Sequence, residues 1–192
     1  YGEIIPVGAS RIIEAVDNFH IKMNGRTLLF IDTPGHARHH FCIFDERSRS
    51  FFTGDTFGVS YREFDVDGME FVFPTTTPVQ FDPLAAHRSL DRIMSYDPQY
   101  AFLTHYSRIG NLTQHATMLH DLIDDYVTIA NNTYNQRADG NVLLVKELGE
   151  LLTQRIKSHG CILPQNEIHD LLSMDVNLNA EGLKCWLELN NK

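Results

Sequence analysis

The run FIDTPGHARHHFCIF, residues 30–44, decides how this chain is read. Two apolar segments of strand length bracket the turn Thr33-Pro34-Gly35-His36, and His39 and His40 follow directly. Proline presets φ and glycine supplies backbone freedom, so the middle of the run reads as a loop between two strands. Neutral imidazole is a frequent ligand for zinc and iron, so histidines at a strand exit suit a metal. They suit equally a loop whose side chains bond their own backbone.

Upstream, FHIKM and RTLLFID flank Asn24-Gly25. Asn-Gly favours the hairpin turn whose two central residues need positive φ, so strands are expected near 18–23 and 26–31. Downstream, HFCIF is a third strand and SFFTG a fourth, joined by the polar loop DERSR. Asp82-Pro83 starts a helix, with Asp as cap and Pro at the first helical position. Leu84, Leu90, Ile93 and Met94 are expected on its apolar face, and Asp97-Pro98 ends it. QYAFLTH is then a strand running into the loop YSRIGN. Beyond Asn111 the pattern turns helical, over LTQHATMLHDLIDDYVTIANN, NVLLVKELGELLTQRIKSHG and AEGLKCWLEL, with 131–141 as a joint. The fold class is α/β.

A chain of 192 residues, 43% hydrophobic and 21% charged, has the balance of one globular domain, or one domain with an appendage. The net charge of −9 argues against nucleic acid held on a broad basic surface. No apolar run approaches the ~20 residues that cross a bilayer, and no secretory leader is evident, so neither a membrane nor a nucleic-acid partner is expected. Cys42, Cys161 and Cys185 are far apart and form no CxxC pair, which points to a reducing, cytoplasmic setting. The chain begins with Tyr1 rather than Met, and is expected to be a piece of a longer polypeptide.

Three residues share one placement: His36 follows LLFID, Asp55 follows SFFTG and His105 follows YAFLT. Ligand sites of α/β sheets form where loops leave strand ends. Singly, each has a plain reading, as a loop histidine bonded to backbone or a turn aspartate. Their wording in order, TPGHARHH, then FFTGDTFG, then LTHYS, resembles the second half of the metallo-β-lactamase fold superfamily over roughly residues 18–125. The resemblance implies that His36 and His105 are metal ligands and that Asp55 bridges two metals. It implies the C-terminal half of an αββα sandwich over residues 1–125, followed by a helical extension over 126–192. The tail is similar, more loosely, to a bacterial subgroup of hydrolases in that superfamily. His40 lies where glyoxalase-II-like members carry a second, non-ligating histidine, so it is read as support or packing. His39 falls on the opposite face of the strand. His87, His115, His120, His159 and His169 are assigned no chemistry.

The superfamily's His-x-His-x-Asp-His loop is absent, and only His20 precedes His36. The missing N-terminal half of the same protein is therefore an expected partner, since half a sandwich leaves an apolar sheet face bare. The implied function is hydrolysis of a small ester, thioester or lactone by metal-bound hydroxide. Two divalent metals are expected, zinc first, with iron or manganese as alternatives. Other readings are an iron-dependent persulfide dioxygenase, a non-catalytic fragment, or an assembly module whose tail pairs with a second copy as a homodimer. The stretch FVFPTTTPVQFDP, 71–83, could wall a substrate pocket or form a surface connection.

Overall fold

The structure is a computed structural model that describes residues 3, 5–134 and 140–190. Strand β1, Phe19–Met23, pairs with β2, Arg26–Asp32, across the Asn24-Gly25 turn, where both φ angles are positive at 51° and 76°. β3, Phe41–Asp45, and β4, Ser50–Gly54, continue the antiparallel meander. After the small ribbon of β5, Val59–Ser60, and β6, Val72–Phe73, helix α1 covers Pro83–Met94. It carries the chain to β7, Tyr100–Leu103, which lies parallel to β4, and β8, Arg108–Ile109, closes the order β1-β2-β3-β4-β7-β8. A helix is the usual crossover between parallel neighbours. β8 lies within a segment expected to be loop.

Three further helices follow among the described residues: α2, Leu112–Tyr134; α3, Gly140–His159; and α4, Gln165–Asn190. α2 packs against α1, α3 and α4, and α3 against α4. Of the expected joint at 131–141, residues up to Tyr134 finish α2 and Gly140 opens α3; residues 135–139 lie outside those described. α4 begins well before the AEGLKCWLEL stretch. Ile168, Leu172, Val176, Ala180, Leu183 and Leu187 recur every three or four residues along it and are all buried.

Asp82 caps α1 by accepting from the Ala85 amide at 3.0 Å, with Pro83 in the first turn as expected. Leu84 does not face the core. It is 69% exposed, while Ala86, Leu90 and Ile93 are buried. Six residues at about 100° each place Leu84 roughly 120° around the helix from Leu90.

The sheet has two unlike faces, set by the alternation of side chains along each strand. Leu29, Phe44, Phe51, Ala101 and Ile109 are cross-strand partners in sequence, and all are buried in the main core. Phe51 is fully buried and packs on Phe44 and Tyr96, and burying such a ring contributes about 1.5–3 kcal/mol. On the other face Phe19, Phe30, Ile43, Phe52 and Phe102 form a second cross-strand row. These are half-buried except for Phe52, which is exposed, as is Phe41 beside Phe30. This second face is apolar and only partly covered among the described residues.

Candidate metal centre

β4 and β7 are parallel, and β2 is two antiparallel steps from β4, so β2, β4 and β7 all end at the same sheet edge. The loops leaving them carry His36, Asp55 and His105, and the structure brings these three together. His36 Nε2 lies 3.5 Å from Asp55 Oδ2, and His105 Nε2 lies 3.6 Å from Asp55 Oδ1. Both distances exceed an N–H···O hydrogen bond. Asp55 Oδ1 is buried yet has no hydrogen-bond partner.

An orphaned carboxylate oxygen facing imidazole nitrogens fits a cation. Two ligand atoms about 2.1 Å from one tetrahedral metal sit ~3.4 Å apart, close to both separations. The two histidines address different oxygens of the one carboxylate, His36 facing Oδ2 and His105 facing Oδ1. Among the described residues no three His, Cys, Asp or Glu side chains enclose a single ion. Each of the two contacts supplies one nitrogen and one oxygen.

His36 is oriented from behind. Its Nδ1 lies 3.0 Å from the Thr75 carbonyl, which can only accept, so Nδ1 carries the proton and Nε2 offers a lone pair. A ligating histidine is held in this way when its second nitrogen donates to a carbonyl or carboxylate. The Thr77 hydroxyl also donates to the His36 carbonyl. Residues 75–77 thus support the site, while residues 79–83 line a cavity of about 500 Å³ with Pro34, Arg38 and Trp186.

His40 supports rather than ligates. The Asp55 amide donates to its Nε2 at 3.0 Å, so its proton is on Nδ1, 2.8 Å from the Thr56 hydroxyl. Thr56 in turn donates to the Thr33 carbonyl at 3.2 Å. Burial, then the neighbouring His36, holds the His40 imidazole below its ordinary value, which keeps it neutral and able to accept. The β4–β7 register slips by one residue between Phe52 and Gly54, and such a bulge re-aims the residue after it, here Asp55. His39 is exposed on the other side, beside Asp17, Phe30 and Phe41.

His105 is held by its loop. Ser60 N donates to its carbonyl, and Tyr106 and Ser107 both adopt positive φ. Arg62 secures this bend by donating to Tyr106 Oη at 2.8 Å and Ser107 Oγ at 2.9 Å while pairing with Asp65. Sequence reading missed Arg62, and missed Asp175 on α4. The Tyr61 hydroxyl donates to Asp175 at 2.8 Å. Burial raises the Asp175 carboxyl above its ordinary value, with His105 close enough to pull the other way. No motif marked either residue.

The sequence profile of the metallo-beta-lactamase superfamily matches residues 4–105, so the chain belongs to that superfamily and has a metal-dependent hydrolase type of fold. That superfamily is rich in hydrolases and generally binds divalent metals, often two. Two solved structures are similar over nearly the whole chain. An archaeal metallo-beta-lactamase superfamily protein, ST1585 from Sulfolobus tokodaii, aligns at 20% identity with a TM-score of 0.52, covering 96% of this chain and 56% of that one. A beta-lactamase domain protein from Burkholderia ambifaria aligns at 12% identity with a TM-score of 0.53, covering 97% and 49%. At these identities the likeness is one of fold, and the chain spans about half the length of both. No curated protein matches it. Among the described residues no helix is long and apolar enough to cross a membrane.

Proposed function

We propose that the protein is a metal-dependent hydrolase of a small ester, thioester or lactone, with His36, Asp55 and His105 holding two divalent metals, zinc first. The observation that carries this reading is Asp55: its two oxygens face two different imidazoles at 3.5 and 3.6 Å, and the buried Oδ1 has no donor. Divalent metals held there would acidify water from a pKa of about 15.7 toward ~7 and polarise a substrate oxygen. The chain's own residues do the positioning. Thr75 fixes the His36 tautomer, neutral His40 anchors the Asp55 backbone, and Arg62 holds the bend that presents His105. The acidic net charge of −9 favours a small substrate over a polyanion.

One nitrogen and one oxygen per centre leave each metal short of the four ligands zinc usually takes. The remaining ligands are assigned to a covering half-domain of the same protein, seated on the apolar face of Phe19, Phe30, Phe41, Phe52 and Phe102. That the chain spans only about half the length of the similar structures supports this. The test is turnover of a panel of small esters, thioesters and lactones by the full-length gene product with added Zn²⁺ or Mn²⁺. Metal-dependent turnover that disappears in Asp55→Ala, with the fold retained by circular dichroism, is expected. Turnover that survives Asp55→Ala or chelation contradicts the proposal.

A further inference from the structure

We infer that Asn179 of α4 is a positioning residue for His36, so that the C-terminal helical layer takes part in shaping the metal centre. The consequence for metal binding rests on the reading of His36 above; the geometry does not. Asn179 is 1% exposed and grips the 74–76 backbone as a neighbouring strand would. Its Oδ1 accepts from the Thr76 amide at 2.8 Å, and its Nδ2 donates to the Pro74 carbonyl at 3.2 Å and to the Tyr126 hydroxyl at 3.3 Å. The Thr76 hydroxyl donates back to the Asn179 carbonyl at 3.1 Å. The amide orientation is forced, because Thr76 N–H can only donate and Pro74 C=O can only accept.

The Thr76 N–H and the Thr75 C=O belong to one planar peptide unit and point in opposite directions from it. Asn179 holds one side of that plane and His36 Nδ1 bonds the other, at 3.0 Å. Fixing the plane therefore fixes where the Thr75 carbonyl points, and with it which nitrogen of His36 keeps the proton. Gly182 allows the approach, since a Cβ there would lie 2.1 Å from Thr76 Oγ1. The link joins residues far apart in sequence; its Asn179–Thr76 end is buried, with Thr76 3% exposed, and its Thr75–His36 end is half-buried.

The experiment reads the His36 imidazole by ¹⁵N NMR and zinc affinity by competition with a chromophoric chelator. Wild-type protein should show the single Nδ1–H tautomer. Asn179→Ala should show mixed tautomers and bind zinc about 10–100-fold more weakly, the usual scale for losing the support of a ligand. Gly182→Ala, which wedges Thr76 away while keeping a good helix former, should do the same and serves if Asn179→Ala does not fold. Leu172→Ala on the same helix, equally buried but distant from the 74–76 segment, should lower the melting temperature and leave both readouts unchanged. A single Nδ1–H tautomer and wild-type zinc affinity in Asn179→Ala and Gly182→Ala would overturn the inference. Wild-type zinc affinity in His36→Ala would overturn the metal reading instead, leaving the tautomer result to stand or fall separately.

Discussion

Replacing Gly54 with alanine perturbs the candidate centre without touching any ligand. Gly54 has a φ of +52°, and a Cβ built there lies 2.4 Å from His40 Nε2 and 2.5 Å from His40 Cε1. The backbone conformation costs an L-residue about 1–2 kcal/mol. The ring cannot swing aside freely, because Thr56, Thr33 and the Asp55 amide all hold it. Breaking the Asp55 amide bond to His40 costs about 1 kcal/mol more. The sum is about 2–3 kcal/mol, which for a chain of this length lowers the melting temperature by roughly 5–10 °C. The displaced Asp55 backbone should also weaken metal binding. Calorimetry and chelator competition on Gly54→Ala against wild type check both effects. A melting temperature within a degree of wild type, with unchanged affinity, would refute the argument that His40 and the glycine together set Asp55.

Burial, opposed by Glu70, holds the His115 imidazole below its ordinary 6.5, so the folded protein binds this proton less readily than the unfolded chain. The stability from keeping it neutral is therefore complete above the unfolded value and is lost as pH falls below it. Urea midpoints between pH 5 and 7.5 should fall more steeply toward acid in wild type than in His115→Gln, and parallel curves would sink the assignment. Burial pushes the Cys42 thiol up to about 12, and all three cysteines are free. A thiol reagent at neutral pH should therefore label half-exposed Cys185 first, and reach buried Cys42 and Cys161 only on unfolding. Rapid labelling of Cys42 in folded protein, read by peptide mass, would contradict that packing.

The candidate residues of the centre are readable in the sequence through the wording and order of three motifs, which resemble the superfamily, since singly each reads as an ordinary loop or turn residue. A turn of Thr-Pro-Gly-His, a Gly-Asp and a Thr-His each follow a short apolar strand, and strand direction does the rest. The supports are not readable. Asn179 looks like a solvent-facing amide in a helix, and Arg62 and Asp175 like surface charges, because their partners are distant in sequence and no spacing rule connects them. The expected α4 is too short for a related reason. Its N-terminal half is rich in Asn, Asp and Ser, which weaken the propensity signal, while burial along one stripe settles the matter. β8 escapes sequence reading because a two-residue strand carries no period.

The most direct test of the central claim is zinc stoichiometry of the full-length gene product, by elemental analysis after gel filtration, in wild type and in His36→Ala, His105→Ala and Asp55→Ala. If Asp55 spans two centres, each histidine variant should lose about one equivalent and Asp55→Ala both. Wild-type stoichiometry in Asp55→Ala, or complete loss in one histidine variant with none in the other, would contradict the bridging arrangement.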